Sequence, residues 1–152
     1  MSAPTLRQVG VRDVTFGRGV TVVEPTNLYG CTFGDDCFVG PFTEVQAGVV
    51  IGARTRIHSH TFLCELVTVG ADCFIGHGVM FVNDLLRDGP AGGDRSKWGA
   101  TVLGDRVSVG SGATLLPVQV CDDVVIGAGA VVVRDITEPG RYVGNPARRL
   151  TP

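Results

Sequence analysis

Nine aliphatic or aromatic residues recur at strict six-residue intervals. They are Phe33, Val39, Val45, Ile51, Ile57, Leu63, Val69, Ile75 and Phe81. A period of six fits neither an α-helix, with 3.6 residues per turn, nor a long strand of alternating side chains. It fits short strands that are joined by tight corners and wound into a solenoid, with three strands in each coil. The sequence therefore predicts an all-β fold, a parallel β-helix.

The same period extends towards both ends of the chain. Two five-residue steps bring in further positions, namely Phe16, Val22, Leu28, Leu103, Val109, Leu115, Val120, Ile126 and Val132. These eighteen positions predict about six coils at the β-sheet spacing of about 4.8 Å, so residues 18 apart become neighbours in space. We expect one domain over residues 1–152, with a coil that begins near Val14 and no separate nucleotide-binding domain before it.

Glycine follows the repeat residue at nine of the eighteen positions: Gly17, Gly34, Gly40, Gly52, Gly70, Gly76, Gly104, Gly110 and Gly127. We expect a positive φ angle there, which glycine adopts without strain. One stacked set departs from this habit, with Gln46 after Val45, Cys64 after Leu63 and Val82 after Phe81.

Composition sets the class of protein. The chain has 152 residues, 44% of them hydrophobic, and a net charge of -2. It contains no long apolar run and no N-terminal export signal, so we expect a soluble cytoplasmic protein with no membrane partner. The near-neutral charge makes nucleic acid a poor candidate partner.

Five cysteines are present: Cys31, Cys37, Cys64, Cys73 and Cys121. Three of them stand two residues before a repeat position, a site for small core side chains, so we expect reduced structural thiols. Cys64 stands elsewhere in the repeat and is a candidate for lining a pocket.

The period is interrupted once, between Phe81 and Leu103, which are twenty-two residues apart. The excess residues are polar and rich in glycine, and they predict a loop over about residues 83–101, here called the excursion. Such loops on rigid scaffolds often carry functional residues. After Val132 the period stops. Prolines there predict that residues 134–152 add no further strands and cover the open end of the coil.

Residues 126–136 read IGAGAVVVRDI and residues 143–148 read VGNPAR. Both resemble the hexapeptide-repeat acyltransferases, whose left-handed β-helices assemble as homotrimers. The resemblance, rather than the period, implies the left hand. Residues 59–65 and 74–84 are similar to acetyltransferases that modify the amino group of nucleotide-linked 3-amino sugars. Residues 85–88 depart from the pattern of that subfamily, so the resemblance does not identify the sugar.

The resemblance implies acetyl transfer from acetyl-CoA to a sugar amine. Holding the two substrates together supplies much of the rate of such a reaction. The resemblance implies that Glu65 and Asp84 anchor the sugar or its amine, and that Asn83 helps to hold the mouth of the loop. Glu65 and Asn83 are 18 apart, so we expect them to stack in adjacent coils.

His77 lies one coil from His58 and His60, so we expect three histidines at one edge of the coil. Imidazole titrates in the range that a base or proton relay needs, which makes His77 a catalytic candidate with Asp84 and Asn83, and His60 a candidate substrate contact. The alternative for His77 is a structural hydrogen bond across a trimer interface. Zinc hydrases of this fold usually carry a further histidine pair, so we expect no metal.

Basic residues near exposed backbone amides suit the phosphates of coenzyme A. The candidate contacts are Ser111, Gly112, Ala128 and Ala130 for the pantetheine arm and Arg134, Arg148 and Arg149 for the phosphates, with Trp98 either lining the pocket or fixing the excursion.

These residues predict an acetyl-CoA-dependent N-acetyltransferase acting on a dTDP- or UDP-linked amino sugar, at the C-3 amine, with active sites at the subunit interfaces of a homotrimer. Two alternatives stay open. One is a hexapeptide acyltransferase with another acceptor or acyl group, and the other is a non-catalytic β-helix scaffold.

Overall fold

The computed structural model describes residues 3–87, 89 and 94–151 of the chain. Three sheets of short, stacked strands form a left-handed parallel β-helix, as the sequence predicts. Asp88 and residues 90–93 of the predicted excursion lie outside the described residues. The only helical segment in the described ranges is a 3-10 helix over Arg95–Lys97, and no helix there is long and apolar enough to cross a membrane.

Each of the first six coils contributes one strand to each sheet. Sheet 1 contains β1 (Val11–Arg12), β4 (Asn27–Tyr29), β7 (Glu44–Val45), β10 (Phe62–Leu63), β13 (Met80–Phe81), β16 (Thr114–Leu115) and β19 (Val131–Val132). Sheet 2 contains β2 (Thr15–Phe16), β5 (Thr32–Phe33), β8 (Val50–Ile51), β11 (Val67–Val69), β14 (Thr101–Leu103) and β17 (Gln119–Val120). Sheet 3 contains β3 (Thr21–Val22), β6 (Phe38–Val39), β9 (Arg56–Ile57), β12 (Phe74–Ile75), β15 (Ser108–Val109), β18 (Val124–Ile126), β20 (Gly140–Val143) and β21 (Arg148–Arg149).

The repeat residues form the core. In a typical two-residue strand the first side chain faces outward and the second, which is the repeat residue, faces inward. Val45, Ile57 and Leu63 are fully buried, whereas Phe16 in the first coil is 39% exposed. Side chains of successive coils therefore stack in one continuous apolar column.

The structure has seven coils, one more than predicted. Val11 pairs with Leu28, Ile136 bridges to Val120, and Tyr142 pairs with Ile126. Val11 precedes Phe16 by five residues and Ile136 follows Val132 by four, so a six-residue period misses the outermost positions of the two end coils.

The predicted reason for the glycine column is wrong. None of those nine glycines has a positive φ. They are required because the next coil passes too close for a side chain: a Cβ at Gly52 would lie 2.4 Å from the carbonyl carbon of Gly70. Positive φ falls three residues after the repeat residue, where Asp36, Arg54 and Gly48 adopt it.

The prediction that residues 134–152 add no strands is also wrong. β20 pairs in parallel with β18 and continues sheet 3, and β21 then pairs with β20 in antiparallel. Pro139 and Pro146 lie just outside these strands, so neither removes a ladder hydrogen bond.

All five cysteines are free, as predicted. Cys64 is 3% exposed and belongs to the core cluster, so it does not line a pocket in this chain. Burial raises the pKa of its thiol to about 11.

Candidate functional site

The corners between sheets carry the polar side chains. The corner after sheet 1, here called the excursion corner, holds Glu65, Asn83 and Arg134. The corner after sheet 3, here called the histidine corner, holds His58 and His77. The corner after sheet 2 carries arginine–aspartate ion pairs, such as Arg18 with Asp35 and Arg54 with Asp72.

Glu65 and Asn83 stack in adjacent coils, as predicted. The Asn83 side-chain Nδ2 donates to the backbone oxygen of Glu65 at 3.1 Å. The backbone nitrogen of Glu65 in turn donates to Gln46 Oε1 at 3.2 Å. The backbone of Glu65 is therefore fixed from the coils below and above, and the Glu65 and Asn83 side chains are both half-buried.

The excursion leaves and rejoins the coil at this pair of residues. The backbone nitrogen of Gly99 donates to the backbone oxygen of Asn83 at 2.8 Å, which closes the base of the loop. Arg95 forms an ion pair with Glu65 and its guanidinium lies 4.8 Å from the centre of the Trp98 ring. Trp98 thus packs at the base of the excursion, and Arg95 is a site residue that sequence reasoning missed. The sequence signal that could have identified Arg95 is a basic residue in a loop whose base lies beside an acidic candidate, Glu65.

Asp84 follows Asn83 at the start of the excursion. Its Oδ1 accepts a hydrogen bond from the backbone nitrogen of Leu86 at 2.8 Å, which turns the chain away from the coil. Asp84 is half-buried. The two acidic candidates, Asp84 and Glu65, therefore lie on the same corner.

His77 is held by its neighbours on the histidine corner. Its Nδ1 lies 2.8 Å from Ser59 Oγ in the coil below, and its backbone nitrogen donates to Ser111 Oγ in the coil above at 3.2 Å. The imidazole is exposed. When the Nδ1 proton is donated to Ser59, the Nε2 lone pair is left to accept a proton.

His58 lies beside His77, with their ring centres 4.8 Å apart. Its Nε2 is buried without a hydrogen-bond partner, and its ring packs against Phe74 at 4.7 Å. Burial lowers the pKa of His58, and the nearby His77 and Arg56 lower it further. His60 is exposed and packs against Phe42 at 5.0 Å. In the described part of the chain, no three His, Cys, Asp or Glu side chains converge as metal ligands.

The structure does not bring the two sets of candidates together within one chain. His77 precedes strand β13 and Asn83 follows it, so the histidine corner and the excursion corner lie at opposite ends of the strands of sheet 1. Sequence reasoning placed His77, Asn83 and Asp84 in one catalytic group because stacking by 18 residues identifies neighbours within a column but not between columns.

The predicted donor residues also separate. Arg134, Arg148 and Arg149 line one cleft of about 200 Å³ at the C-terminal end of the coil. Within this cleft Arg149 pairs with Glu138, and Arg148 Nη1 donates to its neighbouring backbone oxygen, that of Ala147, at 2.9 Å. The three arginines therefore lie in one place, and their contact with the phosphates of coenzyme A stays a prediction.

The small residues predicted for the pantetheine arm lie on the histidine corner above His77. Ser111, Gly112 and Ala128 are exposed there. Ala130 is fully buried, and its backbone nitrogen and oxygen bond within the coils, so it presents no surface to a ligand.

Two segments of the coil match family models built from its repeat. Residues 30–64 match the bacterial transferase hexapeptide, described as six repeats, and residues 100–134 match the hexapeptide repeat of succinyl-transferase. This chain is a hexapeptide-repeat protein. The segment between the matches contains the excursion, which interrupts the repeat.

Curated relatives of this hexapeptide-repeat chain include two transferases. A UDP-3-O-acylglucosamine N-acyltransferase from Bordetella avium is 30% identical over 137 residues, covering 87% of this chain and 33% of the relative. A serine acetyltransferase from Mycobacterium tuberculosis is 38% identical over 108 residues, covering 69% of this chain and 44% of the relative. The chain thus spans less than half the length of these relatives.

Among solved structures, the fold is similar to that of AntD, an N-acyltransferase from Bacillus cereus. It was crystallised as a point mutant with dTDP and coenzyme A, and the match has a TM-score of 0.79 at 19% sequence identity. The match covers 92% of this chain and 84% of AntD. At this identity the likeness establishes the fold.

Proposed function

We propose that this protein is an acyltransferase that moves the acetyl group of acetyl-CoA to the amine of a nucleotide-linked amino sugar, at C-3. The excursion corner binds the acceptor, and the histidine corner of a neighbouring subunit in a homotrimer supplies the imidazole and the path of the donor.

At the acceptor end, Glu65 and Asp84 provide carboxylates for the hydroxyl groups and the amine of the sugar. Glu65 is already paired with a cation, Arg95, and is held at its backbone by Gln46. A protonated sugar amine offers the same charge and hydrogen bonds as that guanidinium. Its neutral form is the nucleophile, so one proton must leave before the nitrogen attacks the thioester carbonyl.

His77 is the group proposed to receive that proton. Ser59 Oγ, 2.8 Å from Nδ1, fixes the plane of the ring and directs Nε2 outward. Nitrogen attack gives a tetrahedral intermediate. When it collapses the C–S bond breaks, and the departing thiolate of coenzyme A takes the proton held by the imidazole. The attacking nitrogen releases its second proton to solvent, which leaves a neutral amide.

The donor end is proposed to follow the histidine corner towards the C-terminal coils. Ser111, Gly112 and Ala128 form an exposed edge without bulky side chains above His77. The cleft lined by Arg134, Arg148 and Arg149 supplies guanidinium groups for the phosphates of coenzyme A. AntD, a structural neighbour, was crystallised with coenzyme A, which supports coenzyme A as the donor.

The observation that carries the proposal is the stacked pair of Glu65 and Asn83 at the closed base of the excursion. A scaffold has no need for a half-buried carboxylate at the base of a loop that leaves the coil. The test is an assay of coenzyme A release with acetyl-CoA and a panel of dTDP- and UDP-linked amino sugars. We expect release that requires both substrates and falls at least tenfold in Glu65→Gln. A chain that neither binds coenzyme A nor is stabilised by it in thermal unfolding contradicts the proposal.

A second candidate is acyl transfer to a different acceptor, favoured by the range of the relatives, one of which is a serine acetyltransferase. Serine and free amino sugars in the same panel separate the two functions. Release of coenzyme A with serine but with no nucleotide-linked sugar favours the second.

A further inference from the structure

Arg95 is an ion-paired arginine whose partner is a proposed acceptor residue. Its Nη2 donates to Oε2 of Glu65, the carboxylate that follows strand β10 at the excursion corner. The Glu65 side chain is only 29% exposed, so water screens its charge less than that of a surface carboxylate. The charge state of this ion pair therefore acts strongly on any group that binds beside it.

The excursion holds Arg95 in this place from its other side. Arg95 opens the 3-10 helix, whose N-cap Asp94 accepts hydrogen bonds at Oδ1 from Ser96 N at 3.0 Å and from Ser96 Oγ at 2.6 Å. The Trp98 backbone nitrogen donates to the Arg95 oxygen at 3.1 Å, and the Trp98 ring centre lies 4.8 Å from the guanidinium. Backbone and side chain are both held, so we expect Arg95 to stay on Glu65 when the acceptor binds.

The proposed function places two opposing demands on Glu65. Its carboxylate must accept a hydrogen bond from the acceptor amine, yet an unpaired negative charge at that distance favours the protonated amine. The protonated amine has no lone pair and cannot attack the thioester. A carboxylate has two acceptor oxygens, and Arg95 pairs with Oε2, which leaves Oε1 for the amine. The paired carboxylate thus keeps an acceptor while its charge is offset.

The other charged groups around Glu65 make this offset necessary. Gln46 links Glu65 to Glu44, because its Oε1 accepts from the Glu65 backbone and its Nε2 donates to Glu44 Oε1 at 3.3 Å. The neutral Tyr29 hydroxyl donates to the same Glu44 oxygen at 3.2 Å. The coil side is therefore acidic, and the cation paired with Glu65 comes from the excursion. The described part of the excursion also carries the charged residues Asp84, Arg87, Asp94 and Lys97.

We infer that Arg95 neutralises Glu65, so that the acceptor amine binds there in its neutral, nucleophilic form. Arg95 touches no reacting atom and acts through Glu65, as a positioning residue. This inference rests on the proposed function and adds the group that makes an acidic anchor compatible with a nucleophilic amine.

The test is the pH profile of kcat for coenzyme A release, between about pH 6 and pH 9.5, which reports groups that titrate in the bound complex. The acceptor is the nucleotide-linked 3-amino sugar with the highest rate in the panel. Arg95→Met removes the charge at similar length, with Arg95→Gln in its place if that variant does not fold, and Arg95→Lys keeps the charge. Arg54→Met is the matched control, because Arg54 pairs with Asp72 at 2.7 Å on the corner after sheet 2.

Two further measurements accompany the kinetics. Thermal unfolding checks that each variant is folded. Isothermal titration calorimetry with dTDP-glucose and UDP-glucose, which carry an uncharged hydroxyl at C-3, reports binding that involves no amine.

We expect Arg95→Met to move the acid limb of the kcat profile upward by about one pH unit, the smaller end of the effect of one nearby charge. Near pH 7 its kcat falls about tenfold, and the KM for the amino sugar falls with it, because the protonated amine binds the unpaired carboxylate without reacting. At the highest pH its kcat returns to within a few fold of wild type. Arg95→Lys and Arg54→Met keep the wild-type profile, and the affinity for the glucose nucleotides is little changed in all variants.

The inference is overturned if the Arg95→Met profile coincides with wild type, or if the loss has the same size at every pH. A higher rate near pH 7 also overturns it, since Arg95 then only blocks Glu65, and so does a loss that Arg95→Lys fails to restore. These results leave acyl transfer standing, because the wild-type protein still acetylates the amino sugar. A wild-type protein that releases no coenzyme A with any amino sugar removes both proposals.

Discussion

At the scale of single residues, two kinds of glycine have different roles in adjacent corners of one coil. Gly52 follows a repeat residue and faces the backbone of Gly70 and Ala71 at distances that no Cβ can occupy. Gly48 has a φ of 77° and open space around it, so it is required only for its backbone conformation. The sequence shows that glycine recurs, but the choice between these two reasons depends on the gap between coils, which the sequence does not state.

Gly52→Ala is therefore expected to destabilise the protein by about 1–3 kcal/mol, the usual cost of forcing a methyl group into a packed site. The control is Gly48→Asn, for which we expect about 1 kcal/mol or less, because asparagine tolerates the left-handed region. Equilibrium unfolding in urea measures both. Equal effects of the two substitutions contradict this explanation.

His58 makes folding sensitive to acid. Its folded-state pKa lies below its ordinary value of 6.5, mainly through burial. As the pH falls through 6.5, the unfolded chain therefore binds more protons than the folded chain. The stability from neutral His58 is fully present above that pH and is lost progressively below it.

We expect the unfolding temperature to fall between pH 7.5 and pH 5.5, and to fall less in His58→Leu. The exposed His60 provides the matched control as His60→Leu, which keeps the wild-type slope. The explanation is wrong if His58→Leu and wild type lose the same stability on acidification.

His77→Asn is expected to lower kcat by about a hundredfold or more, the range for loss of a general base. Ser59→Ala removes only the group that orients the ring, so we expect a smaller loss of kcat with little change in the KM for acetyl-CoA. Steady-state kinetics over a range of pH measures both. Activity of His77→Asn within a few fold of wild type excludes an essential base.

At the scale of elements, the excursion is an insertion that leaves the coil intact. Leu66 and Asp72 occupy the left-handed position three residues after their repeat residues, and Asn83 stands one residue before the equivalent place. After the excursion, Thr101 pairs with Val67 of the preceding coil. One residue between Asn83 and Thr101 therefore restores a six-residue step.

We expect a variant with residues 84–100 replaced by a single glycine to fold, with an unfolding temperature within a few degrees of wild type. It should lose acyl transfer, because Asp84, Arg95 and Trp98 are removed. Circular dichroism and the coenzyme A release assay report on the two properties. Retention of activity by this variant contradicts an acceptor site at the excursion.

The sequence predicts the middle of the fold better than its ends. From Leu28 to Ile126, side chains meet a coil on both sides, so burial imposes a period that the sequence displays. The end coils are covered on one side only, and their residues are freer to vary in spacing. Val11 and Ile136 were missed for this reason.

At the scale of the whole molecule, sheet 1 separates the two halves of the proposed site. Glu65 and Asn83 follow the strands of sheet 1, whereas His77 precedes them. A single subunit cannot bring them together without breaking sheet 1. The proposed three-fold assembly, with the histidine corner of each subunit against the excursion corner of the next, would bring them together.

The candidate site was predicted only in part for the same reason. Contacts between residues stacked in adjacent coils follow from the period, as with Glu65 beneath Asn83 and Ser59 beneath His77. Contacts between residues in different corners do not follow from the period, because they depend on which corner each residue occupies and, in the proposed trimer, on the neighbouring subunit.

The central claim is that one subunit's imidazole acts on an acceptor held by the next. It is tested most directly by mixing His77→Asn subunits with Glu65→Gln subunits during co-expression or refolding. Each variant alone has little activity. Random mixed trimers are expected to recover about a quarter of wild-type activity, because one site in four combines an intact His77 with an intact Glu65 from its neighbour. No recovery in trimers shown to be mixed contradicts the claim.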